Sequence, residues 1–230
     1  MSLKNKKINE ETIKKVAVAL GELNKKVVYV GGAVVSLYAD DPSAEDVRPT
    51  KDVDIFLEIV SYGKLAKLQE ELATKGFHPA QDEEVMCRFK YDDILLDVMS
   101  TEKVGWAPAD KWFEPGLKNI EKIKINGITI NILHVSYFLA TKFNAFHDRK
   151  EDARTSKHFE DIVYVLDNRE KLVEEIINSP ADVRDYLTQE FEEILKGKFK
   201  EAFLGHLYYE HQIERYELIK EKLLGIIEGI

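Results

Sequence analysis

A short apolar strand that runs into two glycines, followed by a second strand with two aspartates, constrains this chain most. The first strand is 27–30, and at Gly31 and Gly32 backbone N–H groups can approach a phosphate closely. On the second strand Asp52 and Asp54 are one residue apart, so both carboxylates lie on one face. Magnesium is held by one or two carboxylates together with substrate phosphates, so the combination predicts metal-assisted phosphoryl or nucleotidyl transfer. The plain alternative is a solvated strand face.

A third carboxylate lies inside an otherwise apolar strand. The pattern over 85–99 is typical of a β-hairpin with its turn at 92–93, and Asp97 falls on the second strand. A buried carboxylate without a partner costs several kcal/mol, so Asp97 requires a cation, a basic partner or exposure in a cleft. If its strand neighbours the Asp-x-Asp strand, three carboxylates converge on a site for two metal ions. The alternative is a salt bridge from Asp97 to Arg88 or Lys90 across the hairpin.

The glycine pair, the Asp-x-Asp pair and the distant third acid resemble the pattern of the nucleotidyltransferase (DNA polymerase beta-like) superfamily. Within it, segments 31–33 and 48–55 are most similar to the AbiEii/AbiGii toxin group, although the loop before the acids is longer than usual. The resemblance implies that Asp52, Asp54 and Asp97 are metal ligands and catalytic residues, the last as third ligand or general base. It further implies nucleotide binding by three residues of these segments: Gly31, Gly32 and Lys51.

The AbiEii-like group also carries a helical signature downstream, which this chain matches in part. The resemblance implies a catalytic role for Lys142 and nucleotide binding by Arg149, Lys157 and Asp161. His158 replaces the aspartate that the signature has after its lysine, so no role is carried over to that position. The residues alone leave other interpretations open. Lys142 and Arg149 border an apolar helical stripe, while Lys157 and Asp161 are spaced for a salt bridge on a solvated face.

Length and composition limit the remaining classes of protein. The chain has 230 residues, 44% of them hydrophobic, which is enough to bury a sizeable core. No apolar run approaches the roughly 20 residues that span a bilayer, and the N-terminus lacks a secretory pattern, so we expect a cytoplasmic protein without a membrane partner. A net charge of −9 disfavours a broad nucleic-acid footprint, although residues 142–158 form a locally basic segment.

The order of elements predicts an α+β chain, in which a nucleotidyltransferase-fold mixed sheet flanked by helices precedes a C-terminal helical region. Asn126-Gly127 between two apolar runs is typical of a type I′ hairpin turn. Beyond this hairpin the pattern is helical. We therefore expect a nucleotidyltransferase domain over 1–134 and a helical domain over 135–230.

These patterns predict an enzyme that uses Mg²⁺, or Mn²⁺, to transfer NMP from an NTP to an acceptor hydroxyl. By resemblance, the acceptor is an RNA end and the protein is the toxin of a toxin–antitoxin pair, with an antitoxin protein as its partner. The acidic composition instead favours a small-molecule acceptor such as an aminoglycoside. A third interpretation is a nucleotide-binding or partner-binding module of the same fold without turnover, against which the presence of all three acids argues.

Overall fold

The computed structural model describes residues 3–80 and 87–229, so Val85 and Met86 of the predicted hairpin lie outside the described residues. Its contacts divide the chain into two compact units. The sheet unit is Ser2–Val34 with Arg48–His134, and the helical unit is Val35–Val47 with Val135–Ile230. The units differ from the expected domains by the segment 35–47, which belongs with the helices.

The sheet unit contains a mixed sheet, as the sequence predicts. Its strands are β1 Val28–Val30, β2 Asp52–Leu57, β3 His78–Pro79, β4 Arg88–Tyr91, β5 Ile94–Ser100, β6 Ile120–Ile125 and β7 Ile128–Leu133. They lie in the order β3-β4-β5-β2-β1-β7-β6. β1 pairs with β7, and β2 with β5, in parallel, whereas the other neighbours are antiparallel. The sheet therefore brings β2 and β5 together although β3 and β4 separate them in sequence.

Three helices of the sheet unit are α1 Lys4–Leu20, α2 Tyr62–Thr74 and α3 Phe113–Leu117. Helix α2 begins where the Ser61 hydroxyl accepts a hydrogen bond from the Lys64 N–H, and it buries Leu65, Leu68 and Leu72. The predicted Asn126-Gly127 turn is confirmed, since both residues have positive φ angles of 46° and 91°. Gly32–Tyr38 forms a 3-10 helix after the glycine pair.

The helices of the helical unit are α4 Val135–Arg149, α5 Lys157–Asn168, α6 Leu172–Ile177, α7 Ala181–Leu195, α8 Lys200–His206 and α9 Gln212–Glu228. Polar contacts attach the segment 35–47 to the end of α5. The Asn168 carbonyl accepts hydrogen bonds from the N–H groups of Asp40 and Asp41, and Arg215 of α9 contacts the carboxylates of Asp41 and Asp167. No helix within the described ranges is long and apolar enough to cross a membrane.

Candidate active site

Gly31 makes room for the carboxylate of Asp54. β1 pairs with β2 so that Val30 lies opposite Asp54, and the chain turns at Gly31 with a φ of +75°. A Cβ atom on Gly31 would lie 1.8 Å from Asp54 Oδ2, closer than any two such atoms can approach. Only glycine fits this position, both for its backbone angle and for the space that the carboxylate occupies.

The register of β2 and β5 brings the three predicted acids to one face of the sheet. In this parallel pair Asp54 lies directly opposite Asp97, and Asp52 precedes Asp54 by two residues. The side chains of residues that pair across neighbouring strands point to the same face, as do those of residues two apart in one strand. The structure therefore meets the condition under which the sequence predicts convergence of the three acids, since β2 and β5 are neighbours. Further along the same face of β2, Phe56 is buried and stacks on Phe113 of α3 at 4.1 Å.

Arg88 lies beside Asp97 and Asp52. It lies opposite Asp97 in the β4–β5 hairpin, and its Nε and Nη2 atoms donate to Asp97 Oδ1 and Oδ2 at 2.7 and 2.8 Å. Nη2 also lies 3.5 Å from Asp52 Oδ2. The side chains of Arg88 and Asp97 are 15% and 13% exposed, against 38% for Asp52. The sequence left open a salt bridge from Asp97 to Arg88 or Lys90, and Arg88 is the partner.

Asp52 and Asp54 are the two carboxylates that could together hold a divalent cation. Asp52 and Asp54 are two hard oxygen donors on one face, the number that magnesium takes from a protein when phosphates supply further ligands. Within residues 3–80 and 87–229, no group of three or more His, Cys, Asp or Glu side chains is arranged to hold a metal ion. Asp97 instead gives both of its oxygens to Arg88. Burial, with Asp97 nearby, raises the pKa of Cys87 to about 11, so its thiol is protonated at neutral pH.

Helix α1 fixes the chain just before the Asp-x-Asp strand. The side-chain amide of buried Asn9 donates to the Arg48 carbonyl at 3.4 Å and accepts from the Thr50 N–H at 3.3 Å. The Thr50 hydroxyl in turn donates to Asp52 Oδ1. The sequence interpretation gave no role to Asn9 or to the Thr50 hydroxyl. The signal that could have found Asn9 is its position on the buried stripe of α1, where a polar side chain needs partners.

Two cationic side chains lie next to the segments that the resemblance assigns to the nucleotide. A Cβ atom on Gly32 would lie 2.8 Å from Arg48 Nη2, so this guanidinium packs against the second glycine. Lys51 is exposed directly before β2. Guanidinium and ammonium groups bind phosphate oxygens well, and a glycine lets such a group approach the backbone. Arg48 was not among the predicted binding residues.

The four predicted residues of the helical unit are placed differently from one another. Lys142 and Asp161 are both buried and form an ion pair of 2.6 Å between α4 and α5. Asp161 therefore does not lie on a solvated face, and the interpretation of Lys157 and Asp161 as a surface pair is wrong. Lys157 itself is exposed, as is Arg149, whose guanidinium lies 3.9 Å from the Glu151 carboxylate.

His158 lies beside the buried pair. Burial, followed by the charges of Lys142 and Arg149, lowers its pKa to about 4, against weaker opposite effects of Asp161 and Glu151. Both ring nitrogens are withdrawn from solvent and have no hydrogen-bond partner among the described residues. The imidazole is therefore neutral at pH 7.

Comparison with solved structures identifies nucleotidyltransferase-like folds. An antigenic nucleotidyltransferase-like protein from Paracoccidioides brasiliensis is 17% identical with a TM-score of 0.51, over 84% of this chain and 91% of its own. The antibiotic-resistance factor ANT(2'')-Ia is 14% identical with a TM-score of 0.52, over 82% of this chain and 96% of its own. The fold is thus nucleotidyltransferase-like, as the sequence predicts. No family model matches the sequence, and neither does any curated protein.

Proposed function

We propose that this protein is a metal-dependent nucleotidyltransferase, which moves NMP from an NTP to an acceptor hydroxyl. The observation that carries the proposal is the strand register that sets Asp52, Asp54 and Asp97 on one face, with Asp54 against Gly31. A nucleotidyltransferase-like fold with two carboxylates beside a glycine turn supports this function, because these carboxylates can hold the metal ion that the transfer requires.

The reaction forms one bond and breaks one. The acceptor oxygen attacks the α-phosphorus, the bond from that phosphorus to the bridging oxygen breaks, pyrophosphate leaves, and the hydroxyl proton passes to solvent. Asp52 and Asp54 would hold Mg²⁺ or Mn²⁺, which when bound neutralises phosphate charge and makes the acceptor oxygen more nucleophilic. Arg48, Lys51 and the two glycines would bind the phosphates that leave.

The acceptor is open between two chemical classes, and one observation favours each. The net charge of −9 favours a small cationic acceptor, and a solved structure of similar fold is an antibiotic-resistance factor. The basic segment 142–158 and the AbiEii resemblance favour an RNA end, with the protein as a toxin held in check by an antitoxin protein. The small cation is our first choice, because the RNA would meet a predominantly acidic chain.

A transfer assay tests this function. Purified protein with Mg²⁺ receives each NTP labelled at the α-phosphate, together with either a panel of aminoglycosides or total tRNA. We expect label in one acceptor pool and stoichiometric pyrophosphate, both lost in Asp52→Asn/Asp54→Asn. Asp93→Asn is the matched control, since it removes an exposed acid of the β4–β5 turn. Label transfer that survives the double substitution would overturn the assignment of the site.

A further inference from the structure

We propose that the Arg88 guanidinium takes the place of one metal ion in the acid cluster formed by Asp52, Asp54 and Asp97. The site is thereby limited to a single divalent cation, held by Asp52 and Asp54. The proposal rests on the proposed function, since it concerns the metal that this function requires. It differs from the sequence expectation of a two-ion site bridged by three acids.

The geometry of Arg88 leaves Asp97 little capacity to bind a metal. Both carboxylate oxygens of Asp97 accept a hydrogen bond from the guanidinium, at 2.7 and 2.8 Å. This is the parallel, two-pronged arrangement in which arginine binds a carboxylate most strongly. The pair is also largely withdrawn from solvent, so separating it would leave two largely buried charges without a partner. An ion that used Asp97 as a ligand would compete with this guanidinium for the same two oxygens.

The charge of the cluster points to the same number of ions. Three carboxylates and one guanidinium leave two negative charges, which one divalent cation neutralises. An arginine keeps its proton at every accessible pH, so this positive charge is permanent, unlike that of a lysine or histidine. Arg88 Nη2 also lies 3.5 Å from Asp52 Oδ2, so the guanidinium offsets part of the negative charge of a second acid.

The position of Arg88 follows from the hairpin. The turn at Asp92-Asp93 pairs Tyr91 with Ile94, and counting outward places Arg88 opposite Asp97 and Lys90 opposite Leu95. Lys90 is exposed on the same face of β4. It therefore provides a control that removes one positive charge from the same strand without removing a contact to Asp97.

Counting bound Mn²⁺ by electron paramagnetic resonance tests the proposal. Wild type, Arg88→Gln, Lys90→Gln and Asp97→Asn are titrated with Mn²⁺, alone and with each NTP, and ions that remain in Asp52→Asn/Asp54→Asn are subtracted. We expect one specific ion in wild type and in Lys90→Gln, and two in Arg88→Gln. Asp97→Asn should still bind one ion, because Asp97 is not a ligand of that ion, but more weakly, because the freed guanidinium lies beside Asp52.

The outcomes separate the inference from the function on which it rests. Two specific ions in wild type, or loss of the ion in Asp97→Asn, would overturn the role of Arg88 and leave the nucleotidyltransferase assignment standing. A single ion in a folded Arg88→Gln would also overturn it. No specific ion in wild type would overturn the metal site itself. If Arg88→Gln does not fold, as judged by circular dichroism, the wild-type and Asp97→Asn counts still decide.

Discussion

Replacing Lys142 with methionine tests whether the buried ion pair stabilises the helical unit. Lys142 Nζ lies 2.6 Å from Asp161 Oδ2, and the two side chains are 5% and 4% exposed. The ammonium also lies 5.1 Å from the centre of the Phe138 ring. Methionine keeps the length and apolar contacts of the lysine stem but removes the charge, so the Asp161 carboxylate loses its buried cation.

The burial of the Lys142–Asp161 pair decides how much the substitution lowers the free energy of unfolding. A surface pair contributes about 0.2–1 kcal/mol, whereas removal of one partner from a buried pair costs about 3–5 kcal/mol. We therefore expect Lys142→Met and Asp161→Leu each to lower the free energy of unfolding by about 3 kcal/mol or more. The double variant Lys142→Met/Asp161→Leu should recover most of this loss, because well-packed apolar residues replace a buried pair at little net cost.

Urea unfolding followed by circular dichroism at 222 nm measures the effect. Trp106 and Trp112 both lie in the sheet unit, so their fluorescence in the same samples shows whether that unit unfolds separately. Lys157→Met is the matched control, since it removes an exposed lysine of the same helical unit. We expect it to lower the free energy of unfolding by less than about 0.5 kcal/mol. A loss below about 1 kcal/mol in Lys142→Met, or additive losses in the double variant, would refute the reasoning.

Three further perturbations follow from the structure. Because the folded-state pKa of His158 is lowered to about 4, wild type should lose up to about 1.4 kcal/mol of stability per pH unit more than His158→Gln as the pH falls from 6.5 toward 4, measured by urea titration. Gly31→Ala should displace the Asp54 carboxylate and abolish specific Mn²⁺ binding, besides costing about 1 kcal/mol for its positive φ. Lys222→Met should cost about 1.5–3 kcal/mol in urea unfolding, since its ammonium donates to three carbonyls at the end of α5.

Each of these perturbations has a control and a contrary result. Parallel pH profiles for wild type and His158→Gln would show that the imidazole is not held neutral by the fold. Gly127 also has a positive φ, but no atom lies near its position for a Cβ, so Gly127→Ala should retain Mn²⁺ binding. Loss of binding in Gly127→Ala would show that the effect of Gly31→Ala does not come from its contact with Asp54. Lys220→Met should be nearly neutral because Lys220 is a solvated side chain of α9, and an equal loss in both lysine variants would contradict the capping role of Lys222.

Local patterns predict much of the sheet unit, because they depend on backbone angles and on alternation. The turn at Asn126-Gly127 follows from two residues that accept positive φ, and the strand of Asp52 and Asp54 follows from alternation. The choice of Arg88 over Lys90 was also within reach of the sequence. A two-residue hairpin turn fixes the register, and that register sets Arg88 opposite Asp97.

Contacts between distant segments lie beyond such patterns. The spacing of Lys157 and Asp161 indicated a surface pair, but the packing of α4 on α5 turns Asp161 inward to Lys142. Helix packing depends on how two whole surfaces interlock, which spacing within one helix does not encode. Likewise, the segment 35–47 belongs to the helical unit through hydrogen bonds to Asn168, far along the chain.

Calorimetric titration of the four NTPs, with and without Mg²⁺, tests the central claim most directly. The claim is that Asp52 and Asp54 hold a metal ion through which the protein binds a nucleotide. The two proteins to compare are therefore wild type and Asp52→Ala/Asp54→Ala, with Asp93→Ala as the control. The account predicts Mg²⁺-dependent binding of at least one NTP to wild type and to Asp93→Ala, and none to the double variant. Binding that survives the double substitution, or no binding by folded wild type, would contradict it.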